Sequence, residues 1–248
     1  MLYLITADGK KYGREKTSTE YSFVDNLICI VNGLKMYNDD LPVRLYLYNF
    51  DKKDIDRILC IKKSKLEIIN NELEISKEDL GGYLVSVRVE LLKEILEKKE
   101  NEWCIYLDTD ILVRGSLENL VEELKKEKDR GKFYAVCREK NDPKSYFQAG
   151  IYGINNTNIS RLMVESWHRR VKENGYKWWS DQHMLYDVYK EMKEKMDFVN
   201  MSKIYNDCPH VFGRGKCFKK DSIIWHCQGN IGNEKWRKEL DKYLKINN

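Results

Sequence analysis

Tyr106-Leu107-Asp108-Thr109-Asp110-Ile111-Leu112-Val113, entered through Trp103-Cys104-Ile105, is an apolar run that stops abruptly at two carboxylates one residue apart. In an extended backbone, residues two apart point to the same side, so Asp108 and Asp110 share a face. Two carboxylates at the carboxyl end of a buried strand are costly unless a cation or hydrogen-bond donors compensate them, and that strand end is where open α/β sheets bind ligands. A hard divalent ion, Mg²⁺ or Mn²⁺, suits the pair because it takes a few carboxylate oxygens and completes its shell with phosphate oxygens and water. Two exposed loop aspartates are the commoner fate of a D-x-D; the flanking apolar strand favours the metal reading here.

On the N-terminal side of this run, short apolar segments alternate with helix-period stretches. Leu2 to Thr6 reads as a strand. The Thr17-x-x-Glu20 capping box opens a helix with Val24, Leu27, Ile28, Val31 and Leu34 on one face. Val43 to Tyr48 is a second strand, Ile55, Ile58 and Leu59 mark a short helix, Leu66 to Ile69 a third strand, and a helix over about Tyr83 to Leu96 leads into Trp103 to Leu107. This order predicts a mixed, mostly parallel Rossmann-like α/β sheet flanked by helices on both faces. Beyond it come a helix capped by Ser116, strands at Phe133 to Val136 and Ala149 to Ile154, helices at Ile159 to Val171 and Asp181 to Met192, a strand at Ile223 to His226 and a lysine-rich C-terminal helix. With no repeat and no Pro/Ser/Gly-rich linker, residues 1–248 read as one domain, divided into a half over 1–115 and an elaborating half over 116–248.

Composition narrows the function classes. The 248 residues are 42% hydrophobic and 12% aromatic with three prolines, which suits a packed globular chain and excludes a disordered one. The 44 Lys+Arg against 40 Asp+Glu leave +4, too little to predict nucleic-acid binding but compatible with one basic spot for a small anion. No stretch approaches the roughly 18 apolar residues of a membrane span, and the apolar start is too short for a secretory leader, so a soluble, cytoplasmic protein is expected. The seven cysteines form no C-x-x-C pair and their odd number argues against a disulfide framework. The spacings of Cys208, Cys217, Cys227 and His226 match no zinc pattern.

Four further features stand out. Arg88 lies on the apolar stripe of its helix with Leu84, Leu91 and Leu92, so its guanidinium needs an anion: either a nucleotide diphosphate or a structural acid. Gln148 sits at the mouth of the strand Phe147-Gln148-Ala149-Gly150-Ile151, and Asp181-Gln182 opens a helix behind Ser180. His226 ends a strand, where an imidazole can complete a metal site begun by two aspartates. His168, His183 and His210 read as ordinary structural or loop histidines.

These segments, in this order and over nearly the whole chain, resemble the GT-A glycosyltransferases, in particular the glycogenin and lipopolysaccharide galactosyltransferase family. The Tyr106 to Val113 run is similar to that family's strand and D-x-D signature, Phe147-Gln148-Ala149-Gly150-Ile151 to its F-N-[AS]-G-V segment with Gln148 for asparagine, Asp181-Gln182 to its D-Q pair, and His226-x-x-Gly229 to its H-x-x-G. The resemblance implies a hexosyltransferase that moves a sugar from a nucleoside diphosphate sugar, UDP above all, to a glycan, lipid-linked or protein acceptor, with retention. It implies Mn²⁺ or Mg²⁺ on Asp108, Asp110 and His226, and nucleotide contacts from Thr6, Ala7, Asp8, Arg88, Thr109, Gly229 and Lys235. Gln148, Asp181 and Gln182 would line the sugar and acceptor side. Homo-oligomerisation is left open. The rivals are a haloacid-dehalogenase-type phosphohydrolase, which needs a later acidic pair that the chain lacks in the expected form, and a noncatalytic nucleotide- or carbohydrate-binding protein on the same fold.

Overall fold

The computed structural model describes residues 1–8, 21–98, 100–126, 130–137, 146–175, 177, 180–213, 216–227 and 234–247. Along the chain run β1 (Leu2–Ala7), α1 (Phe23–Asn38), β2 (Val43–Tyr48), α2 (Lys52–Leu59), β3 (Leu66–Asn71), α3 (Leu80–Glu97), β4 (Trp103–Leu107), β5 (Ile111–Val113) and α4 (Glu118–Lys125). There follow β6 (Lys132–Cys137), β7 (Phe147–Asn155), α5 (Asn158–Asn174), α6 (Ser180–Met192), β8 (Asp197–Asn200), α7 (Pro209–Phe212), β9 (Ile224–His226) and α8 (Glu234–Leu244). Seven strands form the expected mixed, mostly parallel sheet in the order β3-β2-β1-β4-β7-β6-β8, while β5 and β9 make a separate two-stranded sheet. The chain divides into two compact units, one of residues 2–73, 107–118 and 202–248, the other of Met1, 74–106 and 119–201.

In the first unit β1, β2 and β3 pair in parallel, with Leu2 opposite Val43 and Val43 opposite Leu66. β1 and β2 are almost wholly buried, which is why they read as continuous apolar runs rather than alternating ones. Ser22 caps α1, its side chain accepting the Asp25 N–H; Thr17 and Glu20, expected to do so, lie outside the described residues. α1 packs on β5 and α8, and its Gly33 marks the closest approach: a Cβ there would stand 2.3 Å from the Val113 carbonyl oxygen. Leu112, Phe218, Trp225, Trp236, Leu240 and Tyr243 fill the core around this contact together with Cys29, Cys217 and Cys227. Arg114, following β5, lays its guanidinium 3.8 Å over the Trp225 ring and pairs with Glu239 of α8. The first unit's small sheet is thus held from both sides.

In the second unit β6 pairs antiparallel with β7 and parallel with β8. Phe133, Phe147, Tyr152, Trp167 and Phe198 form its aromatic centre, with Phe133 edge-on to Trp167 and stacked on Tyr152. The buried rings of Phe133, Phe147, Tyr152 and Trp167 contribute about 1.5–3 kcal/mol each by leaving water. The β6/β7 register breaks after Ala135, which faces Tyr152, so that Val136 faces Gln148; the Ala149-Gly150-Ile151 stretch is skipped. An irregularity of this kind re-aims the side chain beside it, here Gln148. β8 is a short, half-buried strand that the sequence reading left out.

Candidate metal centre and a buried ion pair

Leu107 closes β4, the chain bends through Asp108, Thr109 and Asp110, and Ile111 begins β5. β5 is three residues long and is stabilised by its antiparallel partner β9, in which Ile111 stands opposite His226. The Cys227 N–H donates to the Asp110 carbonyl at 2.8 Å, extending the pairing to the aspartate itself. A distant segment of the chain is thereby held against the bend.

The three side chains converge. His226 Nε2 lies 3.0 Å from Asp110 Oδ1 and 3.6 Å from Asp108 Oδ2. One ligand atom from each of Asp108, Asp110 and His226 falls within 4.8 Å of the others, and among the described residues this is the group of histidine, cysteine and acidic side chains able to hold an ion. The imidazole is buried while the two carboxylates are about one quarter exposed, at 27% and 24%. Such a site is anchored on one side and open on the other. Two hard oxygens and one nitrogen suit a first-row divalent ion such as Mn²⁺, with Mg²⁺ tolerated, and the open side leaves positions for phosphate oxygens. Cys217 and Cys227 instead pack in the apolar core.

Two residues behind His226 escaped the sequence reading. Asn206 is wholly buried and its Oδ1 lies 2.9 Å from His226 Nδ1. Asp207, also wholly buried, accepts from the Phe218 and Lys219 N–H groups and the Ser222 hydroxyl, and its backbone bonds to Ile224 and His226. Asn-Asp before Cys208-Pro209 reads as a turn, and nothing local links it to β9. The remaining expected nucleotide-side residues in this unit are mostly buried at the end of β1: Thr6, Ala7 and Asp8, the last donating its N–H to the Tyr48 carbonyl. Thr109 sits half-buried in the bend. Lys235 donates to the Phe218 carbonyl at 2.8 Å, and Gly229 lies outside the described residues.

The second unit brings together Arg88 and Asp181. Arg88 Nη2 meets Asp181 Oδ2, and both side chains are buried, at 6% and 1% exposure. The guanidinium also lies 5.1 Å from the Tyr106 ring centroid. The anion that its place on the apolar stripe demanded is therefore a protein carboxylate, as in the structural alternative. Trp167 Nε1–H donates to the Asp181 carbonyl, fixing the start of α6, where Gln182 is also buried. Gln148 is buried beside the β6/β7 irregularity.

The chain shares the GT-A fold of solved glycosyltransferases. The galactosyltransferase LgtC, solved in complex with donor and acceptor sugar analogues, superposes with a TM-score of 0.59 at 15% identity, over 97% of this chain and 95% of its own. The bifunctional glycosyltransferase WbbM gives 0.66 at 12% identity over 99% of this chain and 49% of its own, and the glycosyltransferase GlyE of Streptococcus pneumoniae TIGR4 gives 0.60 at 16% over 99% and 60%. No protein-family profile matches the chain, and no curated protein matches it by sequence. No helix among the described residues is long and apolar enough to cross a membrane.

Proposed function

We propose that the chain is a metal-dependent glycosyltransferase that moves a sugar from a nucleoside diphosphate sugar, a UDP-sugar above all, to an acceptor hydroxyl on a glycan, lipid-linked or protein acceptor, with retention at the anomeric carbon. The observation that carries this reading is the convergence of Asp108, Asp110 and His226 at a strand end of a GT-A sheet. These three would hold Mn²⁺ or Mg²⁺ against the diphosphate, and the ion would supply Lewis-acid neutralisation of the charge on the departing nucleotide. Thr6, Ala7 and Asp8 would meet base and ribose, and Thr109, Gly229 and Lys235 would complete the nucleotide side, while Arg88, expected at the phosphates, would instead act by holding the Asp181 carboxylate. Gln148, Asp181 and Gln182 would serve the sugar and acceptor, where amides hydrogen-bond hydroxyls.

The reaction breaks the bond between the anomeric carbon and the β-phosphate oxygen and forms one to the acceptor oxygen, whose proton passes to the departing phosphate. A double displacement would need a free carboxylate nucleophile. Asp181 is ill-suited to that task because Arg88 neutralises it in a buried pair, which favours attack on the same face that the phosphate leaves. Seven cysteines without a disulfide suit a reducing compartment, so the proposed activity is cytoplasmic. The phosphohydrolase reading gains nothing from a GT-A sheet.

Melting the protein with a panel of nucleoside diphosphates and their sugars, each with and without Mn²⁺, tests the reading. A ligand at a hundred times its Kd stabilises by about 2.7 kcal/mol. A metal-dependent shift with one nucleotide series, absent from Asp110→Ala, is expected, followed by sugar transfer from that donor. No metal-dependent shift with any nucleotide, or a full shift in Asp110→Ala, would overturn the metal assignment. Binding without donor hydrolysis or transfer would support the noncatalytic rival.

A further inference from the structure

We infer that Asn206 is the positioning residue of the metal centre: it holds the His226 ring in the tautomer and orientation that presents Nε2 to the ion. The inference rests on the metal reading above and deepens it. A carboxamide oxygen only accepts hydrogen bonds, so the contact between Asn206 Oδ1 and His226 Nδ1 at 2.9 Å places a proton on Nδ1. With an ion bound the imidazole is neutral and carries one N–H, which leaves the lone pair on Nε2, the atom that faces Asp110 at 3.0 Å and Asp108 at 3.6 Å. Both residues of the pair are buried, at 0% exposure for Asn206 and 1% for His226, so water does not compete for Nδ1.

The position of Asn206 is itself over-determined. Its N–H donates to the Lys203 carbonyl, closing a short 3₁₀ turn over Lys203–Tyr205. The next residue, Asp207, is tied through its backbone to Ile224 and His226 and through its carboxylate to Phe218, Lys219 and Ser222. The dipeptide therefore aims the ligand with one side chain and anchors the 218–222 stretch with the other. Asn206 Nδ2 is buried and has no hydrogen-bond partner among the described residues. A side chain chosen only to fill this space would avoid that unpaired donor; one chosen to accept from Nδ1 must carry the oxygen and tolerates the amide. Metal-bound histidines are held in this way through their second ring nitrogen, and loss of the holding group typically weakens metal binding about 10- to 100-fold.

The test titrates Mn²⁺ into the full chain with no donor or acceptor, reading free Mn²⁺ by electron paramagnetic resonance. Asn206→Ala should bind about 10- to 100-fold more weakly than wild type. Asn206→Asp, which keeps the acceptor and removes the unpaired donor, should bind at least as tightly. Ser222→Ala, which removes one hydrogen bond from the same anchor without touching Asn206, should keep the wild-type affinity. Long-range proton–nitrogen correlation of His226 in the Mg²⁺-loaded wild type should show the proton on Nδ1, a readout that stands even where Asn206→Ala fails to fold. Wild-type affinity in Asn206→Ala or an equal loss in Ser222→Ala overturns the inference while leaving the metal reading intact, whereas a proton on Nε2 overturns the inference and also removes His226 from the ligand set. A wild-type protein that takes up no ion removes both.

Discussion

Gly33→Ala probes the contact on which the candidate metal centre is seated. Alanine at an interior helical position is ordinarily a gain, worth about 1 kcal/mol over glycine. Here the new methyl would lie 2.3 Å from the Val113 carbonyl oxygen and 3.1 Å from Tyr243 Cε1. The first distance is about 1 Å inside ordinary van der Waals contact, and its partner is backbone rather than the tip of a flexible side chain. Either α1 or β5 must move, and β5 is pinned to β9 and by Arg114 on Trp225. Overpacking of this kind costs about 1–3 kcal/mol and occasionally more. Near the upper end of that range, the net loss after the propensity gain is about 2 kcal/mol. For a chain of this length that corresponds to a Tm lowered by about 4–8 °C. Because Ile111 of β5 stands opposite His226, the displacement should also weaken Mn²⁺ uptake. Calorimetry and a metal titration on the same preparation read both effects. A variant that melts at or above the wild-type temperature would mean that propensity governs this position and that α1 does not press on β5.

Arg88→Met should cost about 3–5 kcal/mol in urea unfolding by stranding Asp181, and Arg88→Met with Asp181→Leu should recover most of it; a single variant as stable as wild type would refute the buried pair. Ser22→Ala should cost about 1 kcal/mol by removing the α1 cap, read as a small fall in Tm. Burial pushes the Cys137 thiol up to about 11 and that of Cys29 higher still, whereas Cys60 is exposed. At pH 8 iodoacetamide should therefore modify Cys60 first, and the Cys137 rate should climb only as pH rises towards 11. Since the folded state keeps protons on these two thiols that the unfolded chain gives up, stability should fall as pH rises above the ordinary thiol range. Mass spectrometry of labelled peptides showing Cys29 modified as fast as Cys60 would contradict this.

Much of the architecture was legible because buried parallel strands carry no polar face. β2 and β4 fall on the residues that their apolar runs predict, and the acidic bend stands out because Asp108 and Asp110 interrupt such a run. β8 was not legible: Asp197-Phe198-Val199-Asn200 lies at a sheet edge, half-buried, with polar ends that read as loop. The position of Arg88 on an apolar stripe showed that it needs an anion, yet Asp181 is far along the chain and only the packing of α3 and α6 brings the two together. Asn206 was invisible for the same reason, since its chemistry depends on a strand twenty residues later. Long-range pairing of single polar side chains leaves no periodicity to read.

The two-stranded ladder of β5 and β9 has a consequence for synthesis. Asp108 and Asp110 leave the ribosome before His226, which follows only after α5 and α6 have been made, so a nascent or prematurely ended polypeptide carries an acidic bend with no imidazole behind it. Closing so long a loop costs only about 0.6 kcal/mol more for each doubling of its length, and a cation bridging its two ends would act as a clasp on the segment that carries β9. Divalent ions should accordingly slow proteolytic release of that segment.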